Sequence, residues 1–169
     1  MGDCILDACV VRGAGNSQAI ESKRCRETID AIKNHRHILL VDSTLWGEWR
    51  RHTTIYSSAW LTEIVSRGQI QAIELKPNHQ QEITLAIEKL PAQQRPVATK
   101  DIHILHAAIQ SNALVISSEQ SCRTAYVVCG VHYPPIQGIY WVSPLSCETL
   151  PVWLASNSQP QLDWLLINH

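Results

Sequence analysis

Phenylalanine is missing from this chain altogether, and its large aromatic bulk rests on six tryptophans, which read first as core or subunit packing and second as surfaces on which bases could stack. Charge is sparse at 17% of residues, and the balance of −1 removes any global positive field that would gather a polyanion. A nucleic acid would have to be held locally. The six cysteines contain no CxxC pair, so the spacing of structural zinc is absent, and they are too irregular for a disulfide scaffold. Cys4 and Cys9 fall in the first strand region, Cys122 and Cys129 on a helix, and all read as small buried apolar residues. No apolar run approaches the roughly 18 residues of a spanning helix, and no charged segment followed by an apolar one opens the chain. The expectation is therefore no membrane and a reducing cytoplasm.

What is present is a core. With 169 residues, 45% of them hydrophobic, the chain suits one domain over 1–169, with a Trp-containing C-terminal extension from about 145. A strand ends at Asp7, and a helix follows from about Ser17, a plausible N-cap, to His35. HILLV gives a second strand, Asp42 or Ser43 caps the next helix, and Trp46 and Trp49 lie on its apolar stripe. SSAWLTEIVSRG predicts a helix closed by Gly68, then a strand in QIQAIEL and a helix over about 80–90. Further on, SCRTAYVV is predicted helical and GIYWVSP a strand stopped by Pro144. Strands alternate with helices, which predicts an α/β fold: a three-layer α/β/α sandwich with a mainly parallel central sheet and Rossmann-like topology.

The stretch VATKDIHILHAAIQSNALVISSE carries most of the information, because it sets Asp101 at the start of an amphipathic helix and Glu119 just past the buried strand ALVIS. Asp7 likewise follows the apolar run Cys4, Ile5, Leu6. Ligands of open α/β sheets bind at the carboxyl ends of the strands, and Glu48, one turn beyond VDSTLW, could lean over the same edge. The helix dipole should favour the ionised form of Asp101. Four carboxylates in one small volume repel unless a cation lies between them, and an all-oxygen donor set suits Mg²⁺ or Mn²⁺. Such an ion activates water and offsets charge on a phosphoryl group, so the implied chemistry is phosphodiester hydrolysis. The bland alternative is that these acids are helix caps.

CILDACVV, DSTLWGEW, TKDIHILHAAI and ALVISSE stand in the order and spacing of the four acidic motifs of the PIN-domain ribonucleases, and the chain resembles that family over nearly its whole length. The resemblance implies a PIN-like fold and metal-dependent endoribonuclease activity on RNA, toxin-type members of toxin–antitoxin pairs included. It makes Asp7, Glu48, Asp101 and Glu119 the metal and catalytic cluster, with Ser117 at the family's hydroxyl position before the fourth acid. Asp7 and Asp101 would hold the principal ion, Glu48 would complete its shell, and Glu119 with Ser117 would orient water or a second ion. Glu119 stands where the family usually has Asp, and extra helical material separates Glu48 from Asp101, unlike the compact toxins. A homodimer and an antitoxin-like protein are partners the resemblance also allows.

Lys100, Arg50 and Arg51 are candidate phosphate contacts, although basic clusters such as Lys23, Arg24 and Arg26 are usually solvated helix faces. His103 and His106, one helical turn apart, lack a third ligand and read as surface or polar-contact residues, while Asp3 and Glu63 have no evident partner. Two other readings compete. One is a catalytically weak PIN-like module that binds RNA or a protein. The other is a nucleotide binder, weakened because RGAGNS lacks the further glycine that would bring a helix N-terminus onto a pyrophosphate.

Overall fold

In the computed structural model, which describes residues 3–156 and 158–167, five strands alternate with nine helices. They run β1 (Asp3–Leu6), α1 (Ala8–Gly13), α2 (Ile20–Asn34), β2 (Ile38–Val41), α3 (Ser43–His52), α4 (Ile55–Ser66), β3 (Ile70–Ala72), α5 (Gln80–Glu88), α6 (Arg95–Lys100), α7 (Ile102–Ser111), β4 (Leu114–Ile116), α8 (Gln120–His132), β5 (Trp141–Val142) and α9 (Leu150–Ser156). The sheet is parallel throughout, in the order β3-β2-β1-β4-β5. Its central strands are apolar without alternation, Cys4-Ile5-Leu6 beside Leu114-Val115-Ile116, because both faces are covered. Helices flank the sheet in two groups, α2 packed with α1, α4 and α9, and a cluster of α5, α6, α7 and α8. The three-layer α/β/α sandwich is thus present. Strand order reverses between β1 and β4, where a crevice opens at the carboxyl ends.

Tryptophans fill much of the core. Trp49, Trp60 and Trp141 are fully buried and Trp164 nearly so, which takes these four away from base stacking. Two of them also tie elements together: the Trp49 indole donates to the Leu6 carbonyl at 2.9 Å, and that of Trp60 to the Ile29 carbonyl at 2.7 Å. Asp42 caps α3, accepting from the amides of Thr44 and Leu45, and Gly68 closes α4 with φ +67°, a conformation only glycine adopts freely. Among the described residues no helix is long and apolar enough to cross a membrane.

Several local expectations are corrected. Cys9 belongs to α1, not to the first strand, because Asp7 accepts its amide at 3.0 Å and starts a helix at once. Ser17 does not cap α2, which begins at Ile20; Arg26 holds the carbonyls of Gly15 and Ser17, so the preceding loop cannot join the helix. In RGAGNS, Gly13 is needed for contact and not for phosphate, since a Cβ there would lie 2.8 Å from the Cys25 sulfur. Glu63 has partners after all, Lys33 of α2 at 3.1 Å and Arg67 at 3.5 Å. The strand expected over QIQAIEL shrinks to Ile70–Ala72, its ladder to β2 ending where the Ile73 amide meets the Val41 carbonyl.

Candidate active site

The acids arrive on four separate supports. Asp7 follows β1 directly, and its backbone amide bonds to the Ile116 carbonyl of β4 at 2.9 Å. Its carboxylate is buried and fixed twice: Oδ1 accepts from the Cys9 amide at 3.0 Å and Oδ2 from the Ser117 hydroxyl at 2.6 Å. Ser117 follows β4, is fully buried, and also accepts from the Glu119 amide at 3.1 Å. One hydroxyl therefore links the first and fourth acidic segments. Glu48 lies on α3, whose position is set partly by the Trp49 indole bond to Leu6, the residue before Asp7.

Asp101 stands at the start of α7, as expected, but α6 ends against it: it has φ −106° and ψ 20°, and its side chain makes no capping bond. Although it is 3% exposed, burial raises its proton affinity most and the charge of Asp7 raises it further, against the opposing pull of Lys100, His103 and a Cys122 hydrogen bond. Desolvation outweighs the helix dipole here, which corrects the expectation of a favoured ionised form.

Asp7, Glu48 and Asp101 line one pocket of ≈ 100 Å³, together with Lys100, Arg12 and His52. The Lys100 ammonium sits 3.8 Å from Asp101 Oδ1 on a side chain 65% exposed. Its pKa is raised by Asp101 most and also by Asp7, Glu119 and Glu48, with desolvation opposing. All four acids thus act on one cation. Glu119 is half-buried and does not line the pocket, reaching it by charge alone. Arg50 and Arg51 are exposed in the last turn of α3, outside the pocket.

Other contributors were not expected at the acids: Arg12 was not singled out from the sequence, His52 was read with Arg50 and Arg51 as part of a basic run, and Cys9 as a buried apolar residue. Arg12 is in the last turn of α1, and His52 is one turn beyond Glu48 on α3, an i,i+4 relation the sequence does carry. Cys9 lines the pocket too, and its sulfur accepts from the Ser118 amide and hydroxyl at 3.2 and 3.0 Å. Burial, with the charge of Asp7 next, pushes that thiol up to about 12, so it is a neutral packing group and no nucleophile. His103 and His106 are buried, contrary to the surface reading, because α7 is enclosed by α3, α5 and the sheet. They face different neighbours: His103 Nε2 is 3.7 Å from Glu48 Oε2, whereas His106 meets the His79 ring at 6.5 Å.

Among the described residues no three His, Cys, Asp or Glu side chains are gathered tightly enough to hold one ion as they stand. The donor chemistry nonetheless fits a hard divalent cation: three carboxylates line the pocket, and the only cation paired to the buried Asp101 carboxylate among the described residues is a solvent-exposed lysine. No family model matches the chain, and no curated protein or solved structure is significantly similar to it.

Proposed function

We propose that the protein is a PIN-like, metal-dependent endoribonuclease that hydrolyses RNA phosphodiester bonds at the carboxyl edge of β1 and β4. The observation that carries this reading is that Asp7, Glu48 and Asp101, brought from three separate parts of the chain, line one pocket with Lys100. Asp7 and Asp101 would hold Mg²⁺ or Mn²⁺, Glu48 would complete the shell by a side-chain rotation, and Glu119 would act from its more distant position through water. Such an ion supplies an activated water and offsets charge developing on the phosphoryl group. The chain's own residues do the rest. Ser117 and the Cys9 amide orient the Asp7 carboxylate. With a cation at Asp101, Lys100 would be able to meet a phosphate oxygen, with Arg12 adding positive charge at the pocket wall and His52 a ring nitrogen that can hydrogen-bond. Arg50 and Arg51 extend that charge along the outer face of α3 and would guide the RNA backbone.

A second reading, a PIN-like module that binds RNA or a protein without cutting, is favoured by one observation: Glu119 does not line the acid pocket. Metal titration followed by thermal shift, with cleavage of single-stranded RNA by a purified preparation, separates the two. Hydrolase activity predicts stabilisation by Mn²⁺ and cleavage abolished by Asp7→Asn. Stabilisation with no cleavage would leave the binding module.

A further inference from the structure

His103 is a buried polar group to which the proposed chemistry gives no task. It stands in the first turn of α7, 8% exposed, and its Nε2 has no hydrogen-bond partner among the described residues. A ring nitrogen cut off from water and left unpaired is a cost to the fold, so its presence calls for a reason other than packing. The neighbour across from it is an acid of the pocket: Glu48 Oε2 on α3 lies 3.7 Å away, about 0.8 Å beyond the usual N–H···O length. A small side-chain rotation closes that gap. His106, one turn on, shares the unpaired Nε2 but packs against the ring of His79 instead.

The acids differ in how they are held. Asp7 has both carboxylate oxygens fixed, by the Cys9 amide and the Ser117 hydroxyl. Glu48 makes no side-chain hydrogen bond among the described residues, although it lines the same pocket. A carboxylate that ligates a metal is usually oriented by a hydrogen bond from behind, and its ligand strength depends on that bond. His52, one turn further along α3, is exposed and lies on the same helix as Glu48, so it offers no fixed support from a second element. His103 does, because α7 packs against α3.

We propose that His103 is a positioning residue for Glu48: as the Nε2–H tautomer it donates to the Glu48 carboxylate and holds it in the shell of the divalent ion with Asp7 and Asp101. The bond forms with the rotation that brings Glu48 into that shell. The inference rests on the metal-dependent reading of the site and extends it to a residue that touches neither ion nor RNA.

Two substitutions separate this role from packing. His103→Leu fills the space without a donor, and His103→Gln sets an amide N–H near the position of Nε2. In EDTA, His103→Leu should melt at or above the wild-type temperature, because an unpaired buried nitrogen has been removed. Its Mn²⁺ affinity by calorimetry should nevertheless fall about tenfold or more, with His103→Gln restored to within about threefold of wild type. On a Glu48→Ala background the leucine change should cost nothing further, since the role runs through that carboxylate. In the wild type, Mg²⁺ should move the His103 Nε2–H resonance downfield, a shift absent from Glu48→Ala. Equal Mn²⁺ affinity of His103→Leu and wild type, an equal loss on the Glu48→Ala background, or an unmoved resonance in a wild type that binds Mg²⁺ overturns the role of His103 and leaves the metal site standing. Weaker binding that His103→Gln does not rescue assigns the residue to packing and also overturns it. A wild type that binds neither ion removes the ribonuclease reading, and this inference with it.

Discussion

Replacing Asp101 with Asn should make the metal-free protein more stable, because the amide removes the charge that burial and Asp7 disfavour and its oxygen can still accept from Cys122. Asp101 is buried, makes no capping bond, and has its proton affinity raised by burial and then by Asp7. Its ionised form is therefore a destabilising element at neutral pH, and relief of repulsion between two carboxylates at a partly desolvated edge is worth about 1 kcal/mol. For a domain of this size that corresponds to a rise in melting temperature of about 2–4 °C. The pH dependence has a fixed sign. With a folded-state pKa above the unfolded value, the favourable contribution of wild-type Asp101 is complete below the unfolded value and disappears as pH rises through the folded one. The advantage of Asp101→Asn in EDTA should thus be absent in acid and grow to its full size by neutrality. Mn²⁺ should reverse the order. At about a hundredfold excess over its Kd, a ligand adds ≈ 2.7 kcal/mol to the state that binds it, and only the wild type should collect this. Differential scanning fluorimetry at pH 4.5 to 7.5, with EDTA and with Mn²⁺, reads all of these effects. A variant less stable than wild type in EDTA at pH 7, or one that Mn²⁺ stabilises equally, would refute the reasoning.

Three further outcomes follow from other contacts. Lys100→Met should separate binding from turnover: with the competing ammonium gone, Mn²⁺ affinity measured by calorimetry rises a few-fold, the modest size reflecting the exposure of that side chain, while RNA cleavage falls. Trp49→Phe strips the Leu6 carbonyl of its donor inside the core and removes ring volume, so urea unfolding should show a loss of about 2–4 kcal/mol, with weaker Mn²⁺ binding because Leu6 precedes Asp7. His106 is held neutral by burial, its Nε2 has no hydrogen-bond partner, and neighbouring His79 also disfavours its charge, while the Lys76 carbonyl accepts from the other ring nitrogen. Its folded pKa is lowered, so the stability it contributes is present above the unfolded value of about 6.5 and declines as pH falls from there. His106→Leu should flatten that decline between pH 7 and 5 in chemical denaturation.

The places of Asp7 and Glu119 were legible because a strand buried on both faces is a short apolar run, and the polar residue that ends it must emerge at the sheet's edge. Asp42 and Gly68 were legible because capping is local chemistry. The helix start at Asp101 was legible too, but the short α6 before it was not: a contact distant in sequence marks its end, where the Tyr126 hydroxyl of α8 donates to the Ala98 carbonyl at 2.8 Å. Burial of His103 and His106 was hidden for a similar reason: polar residues on a helix read as surface until the packing of α7 against α3 and α5 is known. Of the two partners of Glu63, Lys33 lies on α2, and charge pairs between separate helices leave no spacing to read, whereas Arg67 stands at i,i+4 and was legible. His52 could have been found from Glu48 by its helical interval, whereas Arg12 and Ser118 become visible only once β1 and β4 are neighbours.

The cap reading of the acids can be weighed against the metal reading on the contacts each residue makes. Asp42 is a cap and nothing more: its two oxygens each take a backbone amide. Asp7 caps α1 with one oxygen, but the other is held by Ser117 from a strand more than a hundred residues away, a bond no helix end requires. Asp101 caps nothing, and Glu119 stands at the head of α8 without a side-chain cap. A carboxylate that is buried, raises the energy of its own ionised form, and returns no hydrogen bond to the backbone is a net cost to the fold. Helix capping therefore explains Asp42, half explains Asp7, and does not explain Asp101, whose contacts are Lys100 and the Cys122 thiol. That residue is where the case for a cation rests, and where the crossing of the EDTA and Mn²⁺ stabilities should be largest.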